Sequence, residues 1–362
     1  MNVKKKGLLA GVLCFMFLFA FPLYAETEDE SGVWEDADYS SMPEEDSESA
    51  AETPAAPARK EVKTESATTV GFAFTTLPEF KLVFSQSFKV PVLRFNDGFF
   101  GGNNIKFGMK AEVAPVFMTF YTDTVFTPLP LIELDTGAMV GTGWNIGEGP
   151  SITGIGINER DAEGKTSIKD QSNANFSGTF LAAHFGAAFQ FNLAAVVRGS
   201  DWNHILFRTY HKMTANAFTG ADKNDTWFIF NDYGENRNGW KYNANYLLGY
   251  QMPAMPVLNM LAFLFEMEKY LTPIESDKDW GDTLARWDFG FLINLKFNEN
   301  ITLGILPQFR LFRNYANFEY PVRIFKDFNG VNDDRYFQDR GKPEGWSFQF
   351  YRVAFAFNWR VK

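Results

Sequence analysis

The stretch that most limits what this chain can fold into is its last one, "YRVAFAFNWRVK" at 351–362. Odd positions carry Tyr351, Val353, Phe355, Phe357, Trp359 and Val361, while even positions carry Arg352, Ala354, Ala356, Asn358, Arg360 and Lys362. Strict alternation is the mark of a β-strand with two unlike faces. The same pattern recurs in "WKYNANYLLGYQM" at 240–252, "IKFGMKAEVAPVF" at 105–117 and "WDFGFLINLKF" at 287–297. Ten strands follow from it: 80–94, 105–119, 131–146, 176–192, 203–217, 239–252, 257–269, 285–297, 301–313 and 351–361. Most run for 11–17 residues, against about 5–6 for an ordinary strand and about 9–11 for a tilted strand that crosses a bilayer.

The connections alternate in length. Short ones lie at 253–256 and 298–300, intermediate ones at 120–130 and 193–202, and long polar ones at 147–175, 218–238, 270–284 and 314–345. An antiparallel up-and-down transmembrane β-barrel of about ten strands, within a range of 8 to 12, reads this way. An even count brings both ends of the barrel out on the short-turn side. Pro91, Pro115 and Pro307 interrupt these strands, each at the loss of a ladder donor. A phase slip between Phe350 and Tyr351 requires a bulge. Residues 70–74, "VGFAF", are either an extra strand or a segment lying in the barrel mouth.

Assigning the more apolar face of each strand to the outside turns eighteen charges inward. The candidate pore lining is Lys106, Lys110, Glu112, Arg208, Lys212, Glu266, Glu268, Asp288, Lys296, Arg310 and Arg352. Lys81, Lys89, Glu133, Asp135, Lys241, Arg286 and Arg360 share that face. Only Arg94, Lys269 and Arg313 point outward, each at the end of a strand that runs toward the long loops. Trp144, Trp240, Trp287 and Trp346 fall near the long-loop ends, with Trp202 and Trp359 at the short-turn ends. Two aromatic girdles are expected where amphipathic rings meet the two interfaces.

Upstream of the barrel, residues 1–25 have the form of a cleaved signal peptide: "MNVKKK", an uncharged and largely apolar run from Gly7 to Pro22, and Ala25 at the cleavage point. Cys14 is the sole cysteine and lies inside that run, so the mature chain is expected to hold no disulfide and no thiolate metal site. Residues 26–68 carry 14 Asp/Glu against 3 Lys/Arg. With the signal at +3 and the whole chain at −10, the remainder, 69–362, is near neutral. The tail is rich in Ser, Thr, Ala and Pro and is expected to be disordered and periplasmic. After Ala25 no run of 18 apolar residues occurs, so helical spans are excluded.

Signal peptide, amphipathic strands, aromatic belts and a terminal amphipathic strand together resemble bacterial outer-membrane β-barrel proteins, over about residues 80–362. The resemblance implies an outer-membrane location, lipid contact and recognition by the barrel-insertion machinery. Members of that class typically end in an aromatic residue, whereas this chain ends Trp359-Arg360-Val361-Lys362. A secreted soluble β protein, with the two faces inverted, is the competing fold.

Catalytic chemistry finds little footing. His184, His204 and His211 are the only histidines, and none falls in a long loop. A Ser–His hydrolase on the outer face would need a serine beside His211, and Ser177, the only outward serine on the preceding strand, lies on the order of 20 Å away at the usual rise. His184 reads as a lumen residue in a hydrogen-bonded network. "NDYGENRNG" at 231–239 and "DFNGVNDD" at 327–334 miss the calcium-loop spacing. "GEGPSITGIG" at 147–156 lacks the context of a phosphate loop. No cofactor, metal or nucleic acid is expected. Twelve lumen cations against six carboxylates suit a narrow, anion-leaning pore. The alternatives are a self-paired, non-conducting interior and a surface-contact or adhesin role through the long loops. The acidic tail reads as a spacer or an arm toward a periplasmic partner, with occupation of the barrel mouth as the second reading.

Overall fold

The computed structural model describes residues 64–76, 79–92, 103–146, 152–160, 166–169, 176, 178–195, 204–221, 226–229, 236–252, 255–271, 285–315 and 343–361. The signal and most of the acidic tail lie outside them. Twelve strands close into one antiparallel barrel. They are β1 (Glu65–Thr75), β2 (Phe80–Pro91), β3 (Asn104–Val113), β4 (Phe117–Leu129), β5 (Ile132–Gly143), β6 (Thr179–Asn192), β7 (Ile205–Phe218), β8 (Gly239–Gln251), β9 (Leu258–Tyr270), β10 (Arg286–Asn298), β11 (Ile301–Tyr315) and β12 (Pro343–Arg360). Each strand pairs with its neighbours in sequence, and β12 closes on β1 through Thr75 opposite Ala354 to Thr69 opposite Arg360. Every strand thus has a partner on both sides, which leaves no open edge to the sheet.

The fold agrees with the sequence in class and closure and differs by two strands. Residues 65–75 form β1, so the "VGFAF" segment is a wall strand, and the barrel begins inside the stretch read as acidic tail. The apolar alternation of 105–119 is broken by a turn at Ala114, Pro115 and Val116, where Ala114 N–H donates to Phe117 O at 2.9 Å. A separate β4 then runs to Leu129. The strand read over 80–94 therefore runs away from the long loops, and Arg94 lies outside the described residues. Adding two strands restores the parity, so from β5 onward the directions agree with the sequence reading.

Even strand number puts Glu65 and Arg360 at the same end. The connections 144–178, 219–238, 271–285 and 316–342 emerge at the other end, together with the short ones at 76–79 and 114–116. Within the long connections, strands at Ile155–Arg160, Thr166–Lys169, Thr226–Ile229 and Asn236–Arg237 form a small separate sheet.

The prolines fall where their missing N–H does little harm. Pro91 ends β2 and Pro115 sits in a turn. Pro307 lies on β11 where the pairing with β10 passes from Gln308 opposite Gly290 to Ile305 opposite Ile293 without a bonded pair between them. The register slip between Gln308 and Phe309 makes Tyr351 the extra residue of a bulge on β12.

Alternation sets the two faces. Phe84, Phe120, Phe185, Leu248, Phe291, Phe348 and Phe350 point out and are exposed, whereas Lys110, Glu112, Asp123, Lys241, Arg310 and Arg352 point in and are buried. This is the inverse of a water-soluble protein, which hides its phenylalanines and solvates its charges.

One loop contact is tight enough to test. A Cβ added at Gly154 would lie 1.9 Å from the Val116 carbonyl oxygen in the β3–β4 turn. Gly154→Ala is expected to release the 152–155 segment from that turn and leave the barrel folded. The measurements are limited proteolysis of the 144–178 connection, expected to be several-fold faster, and gel migration with and without heating, expected to be unchanged.

Candidate functional site

The enclosed charges form paired groups. Glu112 on β3 takes Lys81 Nζ at 3.0 Å and Lys110 Nζ at 2.8 Å, and accepts from Tyr121 OH at 3.2 Å. Lys110 also lies 4.6 Å from the centre of the Tyr121 ring. On β5, Asp135 faces His184 Nε2 at 3.3 Å and accepts from Tyr210 OH at 3.0 Å. Glu133 takes Arg208 at 3.2 Å and Gln190 at 3.4 Å. Glu268 on β9 joins Lys241 at 2.9 Å, Arg286 at 3.2 Å and Asn243 at 3.1 Å. Arg310 holds Asp288 with two donors, at 2.5 and 2.6 Å. Arg352 donates to Gln308 at 2.5 Å and to Glu79 at 2.8 Å.

The Tyr351 ring lies between the last two arginines, 4.0 Å from Arg310 and 4.9 Å from Arg352. The bulge supplies it there, because the extra residue allows Tyr351 and Arg352 to face the interior in succession.

The sequence-chosen lumen residues therefore come together, with one displaced. Lys106 sits on the inner face of β3, Lys212 lies 5.7 Å from the Tyr210 ring, and Glu266 stands opposite Asp288. Lys296 instead lies at the terminus-side rim, 40% exposed, paired with Glu299 at 3.0 Å. Its strand has almost ended there, so its ammonium reaches water and the turn carboxylate. Asp123, Tyr121 and Glu79 were missed, the first two because β4 had been read as a connection and the third because it lies in a turn.

Two apolar clusters flank the charged belt. At the long-loop end, Trp227 and Ile155 from the loops pack on Tyr121, Met139, Phe180, Ala182 and Phe218 of the wall. Trp227 is 1% exposed, and its Nε1–H donates to Asn238 at 3.2 Å. Toward the terminus side, Leu206, Leu247, Met260, Ala262, Leu264, Leu292 and Leu306 fill the inner side of β7 to β11. Between them lies a cavity of about 250 Å³, bordered by Lys81, Glu112, Lys241, Glu268, Arg310, Arg352 and Trp227 among others.

Of the girdle residues, Trp144 packs on Phe176 at 5.3 Å, Trp287 stacks on Phe265 at 5.1 Å, and Trp240 and Trp346 are exposed near the long-loop ends of β8 and β12. Trp359 is exposed at the terminus-side end, and Trp202 lies outside the described residues. Polar residues on the outer face satisfy one another. His211 Nδ1 lies 2.7 Å from Tyr242 OH and Nε2 2.9 Å from Thr209 Oγ1, and Gln86 bonds Thr68 and Ser66. The imidazole is thus engaged at both nitrogens, and Ser177 lies outside the described residues. Among those residues no group of three His, Cys, Asp or Glu is placed to hold a metal ion.

No family model matches the sequence, and no curated protein matches it. Solved structures similar to the chain include a NanC porin (TM-score 0.34, 8% identity, 82% of this chain and all of that one). A KdgM porin follows (0.33, 7%, 82% and 98%), as does the beta domain of the Bordetella autotransporter Brka (0.34, 8%, 82% and 97%). At such scores the likeness adds nothing to the assignment, which stands on the chain's own geometry.

Removing one member of an enclosed cluster strands the others. Glu112→Ala leaves Lys81 and Lys110 facing each other and is expected to destabilise the refolded barrel by about 3–5 kcal/mol. Lys296→Ala, at the exposed rim pair, should change stability by less than about 1 kcal/mol. Urea unfolding in detergent or vesicles measures both.

Proposed function

We propose that this is a bacterial outer-membrane β-barrel whose lumen is closed at rest and which works at its long-loop face. The observation that carries the membrane assignment is the inverted surface. A ring of outward Phe, Leu and Trp is offered to the surroundings while the charges are enclosed. In water such a surface would aggregate. Against acyl chains it is the favoured one, and a cation at mid-depth on that face would cost about 2–4 kcal/mol. A cleaved signal peptide and an acidic periplasmic tail complete the reading, as a spacer or an arm for a periplasmic partner.

Closure is supported by what fills the interior. The leucine cluster on β7 to β11 is buried, and the belt satisfies its charges largely with one another. Barrels with about eight strands are packed by their own side chains, whereas sixteen enclose a water channel. Twelve strands leave the outcome to the side chains, and here these are leucines and ion pairs.

A narrow, anion-leaning pore is the second reading, favoured by the cations Lys81, Lys212, Lys241, Arg286, Arg310 and Arg352 around the cavity. It requires the leucine cluster to move aside. Carboxylates around the same cavity, Glu79, Glu112, Glu266, Glu268 and Asp288, reduce any preference for anions.

The two readings part in planar bilayers. The native refolded chain is expected to be silent, and the double variant Leu264→Gly/Leu292→Gly to give discrete conductance steps. Steps from the native chain with anion selectivity would establish the pore instead.

A further inference from the structure

One part of the outer wall is polar where its surroundings are not. On the outward faces of β7, β8 and β9, Thr209, His211, Tyr242 and Lys269 lie close together. His211 stands opposite Ala244 on β8. Tyr242, two residues nearer the long loops, stands opposite Lys269 on β9. Residues directly opposite one another hold their Cβ atoms about 4.5–5.5 Å apart, so Tyr242 and Lys269 share one small patch. Lys269 is exposed. The next outward residue on β8 toward the long loops is the girdle residue Trp240, also exposed. The patch thus sits one pleat below the tryptophan belt, where head groups give way to acyl chains.

The hydrogens of this patch do not balance. His211 Nδ1 lies 2.7 Å from Tyr242 OH, and Nε2 lies 2.9 Å from Thr209 Oγ1. A neutral imidazole donates at one nitrogen and accepts at the other. The trio therefore holds three N–H or O–H hydrogens for two contacts, and one hydroxyl hydrogen is left over in either tautomer. With Nδ1 protonated, the spare hydrogen is that of Tyr242: the phenol accepts from His211 and donates outward. Lys269 sets a positive charge beside that donor. The outward faces of β7 to β9 carry no carboxylate that could take either one.

We propose that this patch binds the phosphate head group of an outer-leaflet amphiphile, through Lys269 and the Tyr242 hydroxyl, with His211 as the positioning residue that turns the phenol toward the anion. The inference rests on the outer-membrane reading, which puts the long-loop end in the outer leaflet. An anion beside Tyr242 selects the tautomer in which the phenol is free to donate. Below the patch the wall offers a track for the chain. Ala244 is fully buried at its floor. Tyr246 meets the His211 ring edge-on at 5.7 Å and lies 5.8 Å from Phe265. Leu248 and Phe263 continue the track and are exposed. A zwitterionic head group would bring an ammonium to a site whose one charge is Lys269 and whose other groups are uncharged.

The test uses the full mature chain refolded in octyl glucoside, with folding checked by the change of gel migration on heating. Lysophosphatidic acid, inorganic phosphate (the anion without a chain) and lysophosphatidylcholine (an ammonium added to the same phosphate and chain) are compared by equilibrium dialysis. Lysophosphatidic acid is expected to saturate at one per barrel, with the other two about tenfold weaker or more. Tyr242→Phe keeps the ring and removes the donor, and Lys269→Gln removes the charge. Each should weaken binding about tenfold, as the loss of a hydrogen bond or pairing to a charged group does. Lys296→Gln, at the exposed rim of the other end, should leave it unchanged.

Equal binding of inorganic phosphate would overturn the proposal in favour of a free anion. Equal binding of lysophosphatidylcholine, no saturable binding, indifference to Tyr242→Phe, or an equal loss with Lys296→Gln would overturn it as well. A chain that shows no heat-dependent migration would overturn the outer-membrane reading along with it, whereas a folded barrel that fails to bind overturns only this inference.

Discussion

The structure depends on the seam where β12 meets β1. In hydrocarbon a backbone N–H or C=O without a partner costs several kcal/mol, and water cannot supply one. A sheet that failed to close would leave two such edges in the bilayer. The chain closes by pairing Thr69 to Thr75 with Arg360 to Ala354, and the caps at its two ends extend the ladder. Val361 N–H donates to Thr68 O at 2.8 Å, and Thr76 N–H donates to Val353 O at 3.0 Å. The other register choices around the barrel are tied to this one, because each strand is fixed by both its neighbours.

The ion pairs gain their meaning from that closure. A buried pair contributes little net stability over an apolar pair of similar shape, yet breaking one is costly. These pairs cross between strands. Arg310 meets Asp288 directly opposite on β10, and Lys241 meets Glu268 one step along the diagonal on β9. Arg208 on β7 and Glu133 on β5 meet across β6, where Gln190 joins them. A slip of one residue in any of these strands would turn a charge toward lipid and strand its partner inside. The enclosed network therefore acts against wrong registers more than it adds to the depth of the right one.

Much of this was legible in the sequence, and the parts that were not have physical reasons. The two faces of each strand follow from alternation, and so do the bulge at Tyr351, the closing role of the last strand and the position of the long loops. β1 shows in the sequence only as the possible extra strand at 70–74, because its first half, Glu65 to Thr69, is polar and continues the composition of the acidic tail. Alternation becomes apolar only at Val70, Phe72 and Phe74. β4 was hidden by the opposite effect. The turn at 114–116 is three residues long and apolar on both sides, so the pattern on β3 seemed to run through it. Pro115, which looked like a flaw in one long strand, is the turn itself. Asp123 and Tyr121 were lost with β4. Trp227 could not have been found from alternation, because its burial is tertiary: a loop residue pressed against wall residues from β4 to β7.

The interior is lined unevenly, and this bears on what the molecule can exchange with its surroundings. A water-filled passage needs polar, solvated walls along its whole length. In this lumen the leucines of β7 to β11 stand level with a polar group, Arg208 opposite Leu247 and paired with Glu133, while Trp227 and its neighbours pack on the wall of β4 to β7 at the long-loop end. A solute that entered the barrel would meet apolar surface on part of the wall toward each end and, between, a belt already engaged in ion pairs.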